Sequence, residues 1–132
     1  MINIVLASVP VDDTGKALKF YTEKLGFVTK VHIPEINWVT IVSQADPDGT
    51  QLLLEPDDNP VLDGAVKELK KKLVKNGIAY AAFAVDDIHK ETERLKKLGV
   101  KFTQEPTPMG PTIQAVFDDT CGNLVQLFQL AG

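Results

Sequence analysis

The chain has 132 residues, of which 44% are hydrophobic and 24% charged, values that are typical of one globular domain and exclude a disordered or fibrous protein. The 14 basic and 18 acidic side chains give a net charge of −4, and lysines scattered among glutamates give no coherent positive face, so we do not expect nucleic acid as a partner. The apolar runs are short and the N-terminus lacks a basic-then-apolar pattern, so we expect neither a membrane partner nor a signal sequence. A single cysteine, Cys121, cannot form an internal disulfide, which predicts a reducing, cytoplasmic setting.

A strand and a helix are the first predicted elements. Residues 2–11 form an alternating or continuous apolar pattern rich in isoleucine and valine, which is typical of a half-buried strand. Asp13 can cap the helix that follows, and Gly26 suits the left-handed position that ends it. Turn-forming segments then separate three further strands, which are predicted at 27–33, 38–43 and 51–55.

An inserted amphipathic helix is predicted at about 61–76. Apolar residues recur on one side of it at helical spacing, at Leu62, Val66, Leu69 and Leu73. We interpret the lysine run 70–72 as part of a solvated helix face.

The sequence of the second half predicts the same order of elements, a strand, a helix and three strands. The five elements are expected at 78–85, 88–98, 101–104, 112–117 and 124–130. Segment 106–111 contains three prolines and is predicted to be a stiff loop.

Motifs of the first half recur at nearly constant spacing in the second. Asp13 and Asp87 are 74 residues apart, whereas Gly26 and Gly99 are 73 apart, so the second helix is one residue shorter. We therefore predict one domain, residues 1–132, made of two βαβββ modules at 1–57 and 78–132 that the inserted helix joins.

An aspartate pair after the first strand and Leu-Gly after the helix recur in both halves, and Asp-x-x-Gly-Asn occurs late in the chain. They occupy residues 11–13, 17–21, 25–27, 83–87, 98–100 and 119–123. Their order and spacing resemble the vicinal oxygen chelate superfamily, which comprises glyoxalases, bleomycin-resistance proteins and extradiol dioxygenases. Segments 37–40, 52–56 and 117–123 are similar to an uncharacterised bacterial glyoxalase-like subgroup.

This resemblance implies an α+β fold in which each module curls a mixed sheet into a half-barrel, with helices on the outside and a cavity between the modules. It also implies a homodimer. Family enzymes hold a divalent metal through His, Glu or Gln side chains on the first and last strands of each module. The metal acts as a Lewis acid toward vicinal oxygens of the substrate.

Counting from the motifs places the four family ligand positions at Leu6, Leu53, Tyr80 and Gln126. Leucine has no lone pair, and a neutral phenol is a poor ligand for a divalent cation. Glu55 lies on the same strand face as Leu53, but one carboxylate and one amide make only two ligands, fewer than a catalytic zinc site keeps. We therefore expect no metal cofactor unless the ligands are non-standard.

A mainly apolar ligand pocket between the modules is the resulting prediction. Small alanines, Ala82 and Ala84, share a strand face with Tyr80 and leave room for a ligand. The candidate pocket residues are Leu6, His32, Trp38, Leu53, Glu55, Tyr80, Gln126 and Phe128.

Three functional hypotheses remain open. The first is a metal-free member of the superfamily that binds a small apolar molecule, as in its drug-sequestering branch. The second is a metal-dependent lyase, isomerase or dioxygenase, for which no catalytic residue can be assigned. The third is a structural or interaction module whose core is filled.

Overall fold

A computed structural model describes residues 1–130 in two compact units. The first unit is Met1–Glu68, and the second begins at Leu69. Each unit folds as strand, helix and three strands, and its four-stranded sheet is open rather than closed into a barrel. The predicted α+β class and the two βαβββ modules are confirmed, whereas the module limits at residues 57 and 78 stay predictions.

In the first unit, the strands are β1 (Leu6–Val11), β2 (Val28–Ile33), β3 (Trp38–Val42) and β4 (Gln51–Pro56). Helix α1 (Thr14–Lys19) follows β1 and continues as one π-helical turn, Phe20–Lys24. Short 3₁₀ turns occur at Pro34–Ile36 and Pro60–Leu62. The sheet order is β1-β4-β3-β2, with β1 parallel to β4 and the other neighbours antiparallel.

Helix α2 (Ala65–Lys75) leads into the second unit, whose strands are β5 (Ala81–Ala84), β6 (Phe102–Met109), β7 (Thr112–Asp118) and β8 (Leu124–Leu130). Helix α3 (Ile88–Lys97) connects β5 to β6. The order β5-β8-β7-β6, with β5 parallel to β8, repeats the topology of the first sheet. Among residues 1–130, no helix is long and apolar enough to span a membrane.

Helices α1 and α3 begin and end as the sequence predicts. The side chains of Asp13 and Asp87 each accept a hydrogen bond from the backbone amide three residues later, at 2.9 and 3.1 Å. Gly26 and Gly99 follow the helices at φ values of +86° and +88°, which a side chain would disfavour. The same local signals therefore set both helices at the same place in their modules.

The π-helical turn accounts for the change in motif spacing from 74 to 73 residues. Within it, the amide of Leu25 donates to the carbonyl of Phe20, five residues earlier, at 3.3 Å. The hydroxyl of Thr22 donates to the carbonyl of Leu18 at 2.6 Å, which satisfies an acceptor in the widened helix. Because α3 is regular over its described length, the first helix contains the extra residue.

Each sheet buries one face against its helix. The fully buried hydrophobic residues include Val9, Val11, Ala17, Tyr21, Ile41 and Leu54 in the first unit, and Ile88, Leu95, Ala115, Phe117 and Val125 in the second. Complete burial of one large aliphatic or aromatic side chain contributes roughly 1.5–3 kcal/mol. These two cores fix the strands, and thereby the side chains on the opposite faces.

The ends of some strands differ from the prediction. Strand β1 begins at Leu6 rather than residue 2, because its partner β4 begins at Gln51, whose amide donates to the Val5 carbonyl at 2.9 Å. Strand β5 likewise begins at Ala81 rather than residue 78. The prediction of a stiff loop at 106–111 is wrong, since β6 continues to Met109. Strand β6 is at the edge of the sheet, where a proline, which has no backbone N–H, is tolerated because no neighbouring strand requires that donor.

The lysine run of α2 is not uniformly solvated. Lys70 is only 4% exposed, and its Nζ donates to the carbonyl of Cys121 at 2.7 Å. Lys71 and Lys72 are exposed. The interpretation of a solvated face is therefore wrong for Lys70, because a tertiary contact that helical periodicity does not show holds its ammonium group.

The turn before β8 is a buried polar network. One carboxylate oxygen of Asp119 accepts from the amides of Cys121 and Asn123 at 2.7 and 3.0 Å, and the other accepts from Asn123 Nδ2 at 2.9 Å. Gly122 has a φ of +93°, and a Cβ there would lie 2.9 Å from Nζ of Lys70. The Asp-x-x-Gly-Asn motif is thus explained by local hydrogen bonding and by the space that Lys70 occupies.

Candidate ligand-binding site

The face of each sheet that lies opposite the helix carries most of the predicted pocket residues, and we call it the open face. In the second unit, Oε1 of Gln129 accepts from the amide of Ile88 at the start of α3, at 2.7 Å. Odd-numbered residues of β8 therefore face the helix. Because side chains alternate along a strand, Gln126 and Phe128 lie on the open face.

Strand pairing gives the neighbours of these two residues. Gln126 is opposite Ala82 of β5 and Val116 of β7. Phe128 is opposite Ala84 and Gln114 on the same two strands. Both alanines are exposed, so small side chains adjoin the glutamine and the phenylalanine along β5.

Tyr80 lies just before β5. Its amide donates to the carbonyl of Leu124 at 2.9 Å, so the pairing of β5 with β8 extends to this residue. Its side chain is 38% exposed, and the alternation that continues from Ala82 places it on the open face. The structure thus places Tyr80, Gln126 and Phe128 on one face of the second sheet.

A chain of side-chain hydrogen bonds crosses this open face. Nε2 of Gln126 donates to Oε1 of Gln114 at 2.7 Å. Nε2 of Gln114 donates to Oγ1 of Thr112 at 2.9 Å, and Oγ1 of Thr112 donates to the carbonyl of Met109 at 3.0 Å. This series of hydrogen bonds runs from β8 to the β6–β7 turn and fixes the orientation of the two carboxamides.

The open face of the first unit has a different chemistry. Leu6 pairs with Gln51, and Ser8 pairs with Leu53, which is 6% exposed. Oγ1 of Thr40 on β3 donates to Oε1 of Gln51 on β4 at 2.7 Å. Thr40, Gln51 and Leu53 therefore lie on the same face of the sheet. Leu53 is therefore an apolar position between short polar groups.

The remaining candidates of the first unit divide between the two faces. Glu55 is exposed and follows Leu53 by two residues, so its carboxylate lies on the open face. Trp38, two residues before Thr40, is half-buried on the same face. His32 pairs with Val39 and therefore lies on the opposite face.

Pairing registers also establish which positions of the two units correspond. Ser8 is opposite Leu53 in the first sheet, and Ala82 is opposite Gln126 in the second. These pairs are separated by 74 and 73 residues, the spacings of the sequence repeat. The structure therefore places Leu53 and Gln126 at equivalent points of the two open faces.

The residues at the four family ligand positions do not fit a divalent metal. Leu6 and Leu53 offer only alkyl groups, and Gln126 offers a single amide oxygen, fewer ligands than a metal site needs. Glu55 pairs with Pro10, and a proline side chain cannot act as a second metal ligand beside the carboxylate. Within residues 1–130, no three His, Cys, Asp or Glu side chains come close enough to hold a metal ion.

Gln114 and Thr112 belong to this site, although sequence reasoning did not include them. Their strand was predicted correctly, but the register of β7 against β8 was not known. A search for polar residues at alternate positions of the strand predicted next to Gln126 would have identified both as candidates.

A separate small groove of about 190 Å³ lies where α3 packs against β6. It is lined by His89, Thr92, Glu93, Lys96, Glu105 and Pro106. An ion pair joins Lys96 to Glu105 across it. Since α3 covers the helix side of the sheet, this groove is distinct from the open face.

A family model agrees with this architecture. The model of the Glyoxalase/Bleomycin resistance protein/Dioxygenase superfamily matches residues 3–127. An uncharacterised protein of Bacillus subtilis (strain 168), YurT, is 52% identical over 130 residues, which cover 97% of this chain and 99% of that protein.

Two solved structures have the same fold. The crystal structure of UcmS2 has a TM-score of 0.80 and 30% sequence identity, and the match covers 97% of this chain and 98% of that one. TnmS3, an antibiotic-binding protein from Streptomyces sp. CB03234, has a TM-score of 0.74 and 24% identity, with 99% and 98% of the two chains covered. At this identity the second likeness shows the fold alone.

Proposed function

We propose, for a chain that belongs to the Glyoxalase/Bleomycin resistance protein/Dioxygenase superfamily, that it binds a small, mainly apolar organic molecule without a metal. The candidate contact residues are Tyr80, Gln126 and Phe128 on the open face of the second unit, and Leu6 and Leu53 on the open face of the first. The observation that carries this proposal is the chemistry of the four family ligand positions. Two are leucines and one is a phenol, so the amide oxygen of Gln126 is a single ligand, fewer than a metal site needs.

The composition of the open faces supports a binding role. Alkyl and aromatic side chains surround a few polar groups that have defined partners, which is the usual make-up of a small-molecule site. Ala82 and Ala84 remain exposed beside Gln126 and Phe128, so a ligand can approach these side chains along β5. TnmS3 indicates that the same fold can serve antibiotic binding.

Metal analysis tests the first half of the proposal. The protein is purified without chelator, and its metals are quantified by inductively coupled plasma mass spectrometry. We expect much less than one equivalent of any divalent transition metal per chain. A stoichiometric metal, together with an activity that chelation abolishes, would overturn the proposal in favour of a metal-dependent enzyme.

Binding of 1-naphthol and 1-methoxynaphthalene, followed by fluorescence titration, tests the second half. Ala82→Phe fills the space beside Gln126 and is expected to weaken the binding of both probes at least tenfold. Ala65→Phe, at an exposed alanine in the first turn of α2, is the matched control and should leave binding unchanged. No binding to the wild type, or equal effects of the two variants, contradicts a site on the open face.

We also propose that the protein is a cytoplasmic homodimer and that it does not bind nucleic acid. Large apolar side chains near the N-terminus support self-association, since Ile2 and Ile4 are 99% and 82% exposed. Cys121 is buried and is the single cysteine of the sequence, which is compatible with a reducing compartment. Sedimentation equilibrium should give twice the mass of the chain, and a monomer at all concentrations would contradict the dimer.

A further inference from the structure

The hydrogen-bond chain on the second open face has only one consistent direction. A backbone carbonyl can only accept, so Thr112 must donate its hydroxyl proton to Met109. The oxygen of Thr112 is then an acceptor, and Gln114 must present its NH₂ group to it. Oε1 of Gln114 consequently faces Gln126, which must present its own NH₂ group in return. The carbonyl of Met109 thus fixes the orientation of a carboxamide two side chains away.

With this direction, the side-chain carbonyl oxygen of Gln126 is the last group of the hydrogen-bond series. Within residues 1–130, Oε1 of Gln126 has no hydrogen-bond partner, while its Nε2 is committed to Gln114. Its cross-strand neighbours are Ala82 and Val116, neither of which has a polar side chain. A half-buried acceptor in apolar surroundings favours a ligand that can donate a hydrogen bond to it.

We propose that Gln126 is a specificity-determining residue that selects ligands with a neutral O–H or N–H donor on an apolar body, such as a phenol or a secondary amide. Thr112 and Gln114 act as positioning residues, because they hold the amide of Gln126 with its oxygen outward. This inference rests on the proposed function, since it assumes that a small molecule occupies the open face.

The first unit presents no acceptor at the position equivalent to Gln126. Its equivalent position is Leu53, and the acceptor oxygen of Gln51 on that face already receives the hydroxyl of Thr40. At this position of the repeat, the second unit therefore presents an acceptor to a ligand donor, whereas the first unit presents the alkyl group of Leu53. The selectivity we expect is for one polar group on a ligand that is otherwise apolar.

The matched probes 1-naphthol and 1-methoxynaphthalene differ in whether the oxygen can donate. Wild-type protein is expected to bind 1-naphthol more tightly by roughly three- to tenfold, the effect of one neutral hydrogen bond. Gln126→Leu should abolish this preference, so that the variant binds the two probes with equal affinity. Circular dichroism and the thermal unfolding midpoint establish that the variant is folded.

A second variant tests the positioning role without changing Gln126. In Thr112→Val, Gln114 has no acceptor to orient it, so either carboxamide can turn and present NH₂ to the ligand. The preference for 1-naphthol over 1-methoxynaphthalene should fall at least twofold. Thr103→Val, at an exposed threonine of β6, is the control and should keep the full preference.

The outcomes separate this inference from the proposed function. If neither probe binds the wild type, the proposed function fails and the inference fails with it. If both bind equally well, or if Gln126→Leu keeps the preference, the inference alone is overturned. A Thr112→Val variant that retains the full preference would overturn the positioning role of the hydrogen-bond chain.

Discussion

The turns that precede the last strand of each unit reach the same strand register by different physical means. Before β4, Gly49 donates to the carbonyl of Asp46 at 3.0 Å in a solvent-exposed turn, where Asp48 has a side chain that is 95% exposed. Before β8, Asp119 and Asn123 are 0% and 2% exposed and are bonded to each other. The exposed turn before β4 is sufficient to set the strand register of the first unit. The stability of the turn before β8 depends in addition on buried polar contacts.

Asp119→Ala tests this difference most directly. The substitution leaves the amides of Cys121 and Asn123 and the side-chain amide of Asn123 without their carboxylate acceptor in a buried turn. We expect the free energy of unfolding to fall by on the order of 3 kcal/mol in urea denaturation. Asp48→Ala, at the equivalent exposed turn, should change it by less than about 0.5 kcal/mol. Similar effects of the two substitutions would remove the distinction between the turns.

Exchange of side chains at the equivalent open-face positions tests whether the two faces can be interchanged. Leu53→Gln introduces a carboxamide at a site that is 6% exposed and is expected to destabilise the chain by about 2 kcal/mol. Gln126→Leu removes a half-buried amide whose partner Gln114 is also half-buried, and should cost less than about 1 kcal/mol. Urea denaturation of both variants measures the asymmetry, which equal losses would contradict.

Lys70→Met removes the ammonium group that supports the buried turn from α2. The carbonyl of Cys121 loses this donor, so we expect a destabilisation of about 1–2 kcal/mol. Lys71→Met, at the adjacent exposed position, should be neutral within about 0.5 kcal/mol. If the Lys70 and Lys71 variants unfold at the same urea concentration, the contact is not important for stability.

The smallest effect is expected at an ion pair of the first unit. Nζ of Lys67 lies 3.1 Å from Oδ1 of the buried Asp57, and the hydrogen bond and charge of Asp57 raise the pKa of Lys67 above its ordinary value of 10.5. A group whose pKa is raised by folding stabilises the folded chain fully below its unfolded pKa, and this contribution is lost as the pH rises through the raised value.

Lys67→Met should therefore lower the thermal unfolding midpoint slightly at neutral pH. The difference from wild type should stay constant up to about pH 10 and disappear above the raised pKa of Lys67. Lys75→Met serves as the control for loss of a lysine charge. A difference that persists at alkaline pH would show that packing of the side chain, rather than its charge, is responsible.

The comparison of the units also explains which features could be predicted from sequence. Aspartate caps, terminal glycines and apolar alternation act over a few residues, so they gave the helices and most strands correctly. The beginning of β1 at Leu6 depends on where β4 starts, and the burial of Lys70 depends on a turn more than fifty residues away. These outcomes require tertiary information that local patterns do not contain.

The candidate site divides in the same way. Counting from the motifs identified Leu53 and Gln126 as equivalent positions, and the strand registers agree. His32 was included because it lies near Trp38 in sequence, but pairing with Val39 puts it on the opposite face. Gln114 was not identified, since its contact with Gln126 depends on the antiparallel register of β7 and β8.

The π-helical turn Phe20–Lys24 has a consequence for how the chain can change length in evolution. It lies between an aspartate cap and a terminal glycine that keep their places in both units, so it absorbs one residue without altering either neighbouring strand. A single-residue deletion inside this turn would restore a regular helix, whereas a deletion within β1 would turn every later side chain of that strand to the other face. Insertions and deletions should therefore be tolerated at this turn, where a change in sequence length leaves the sheet geometry unaltered.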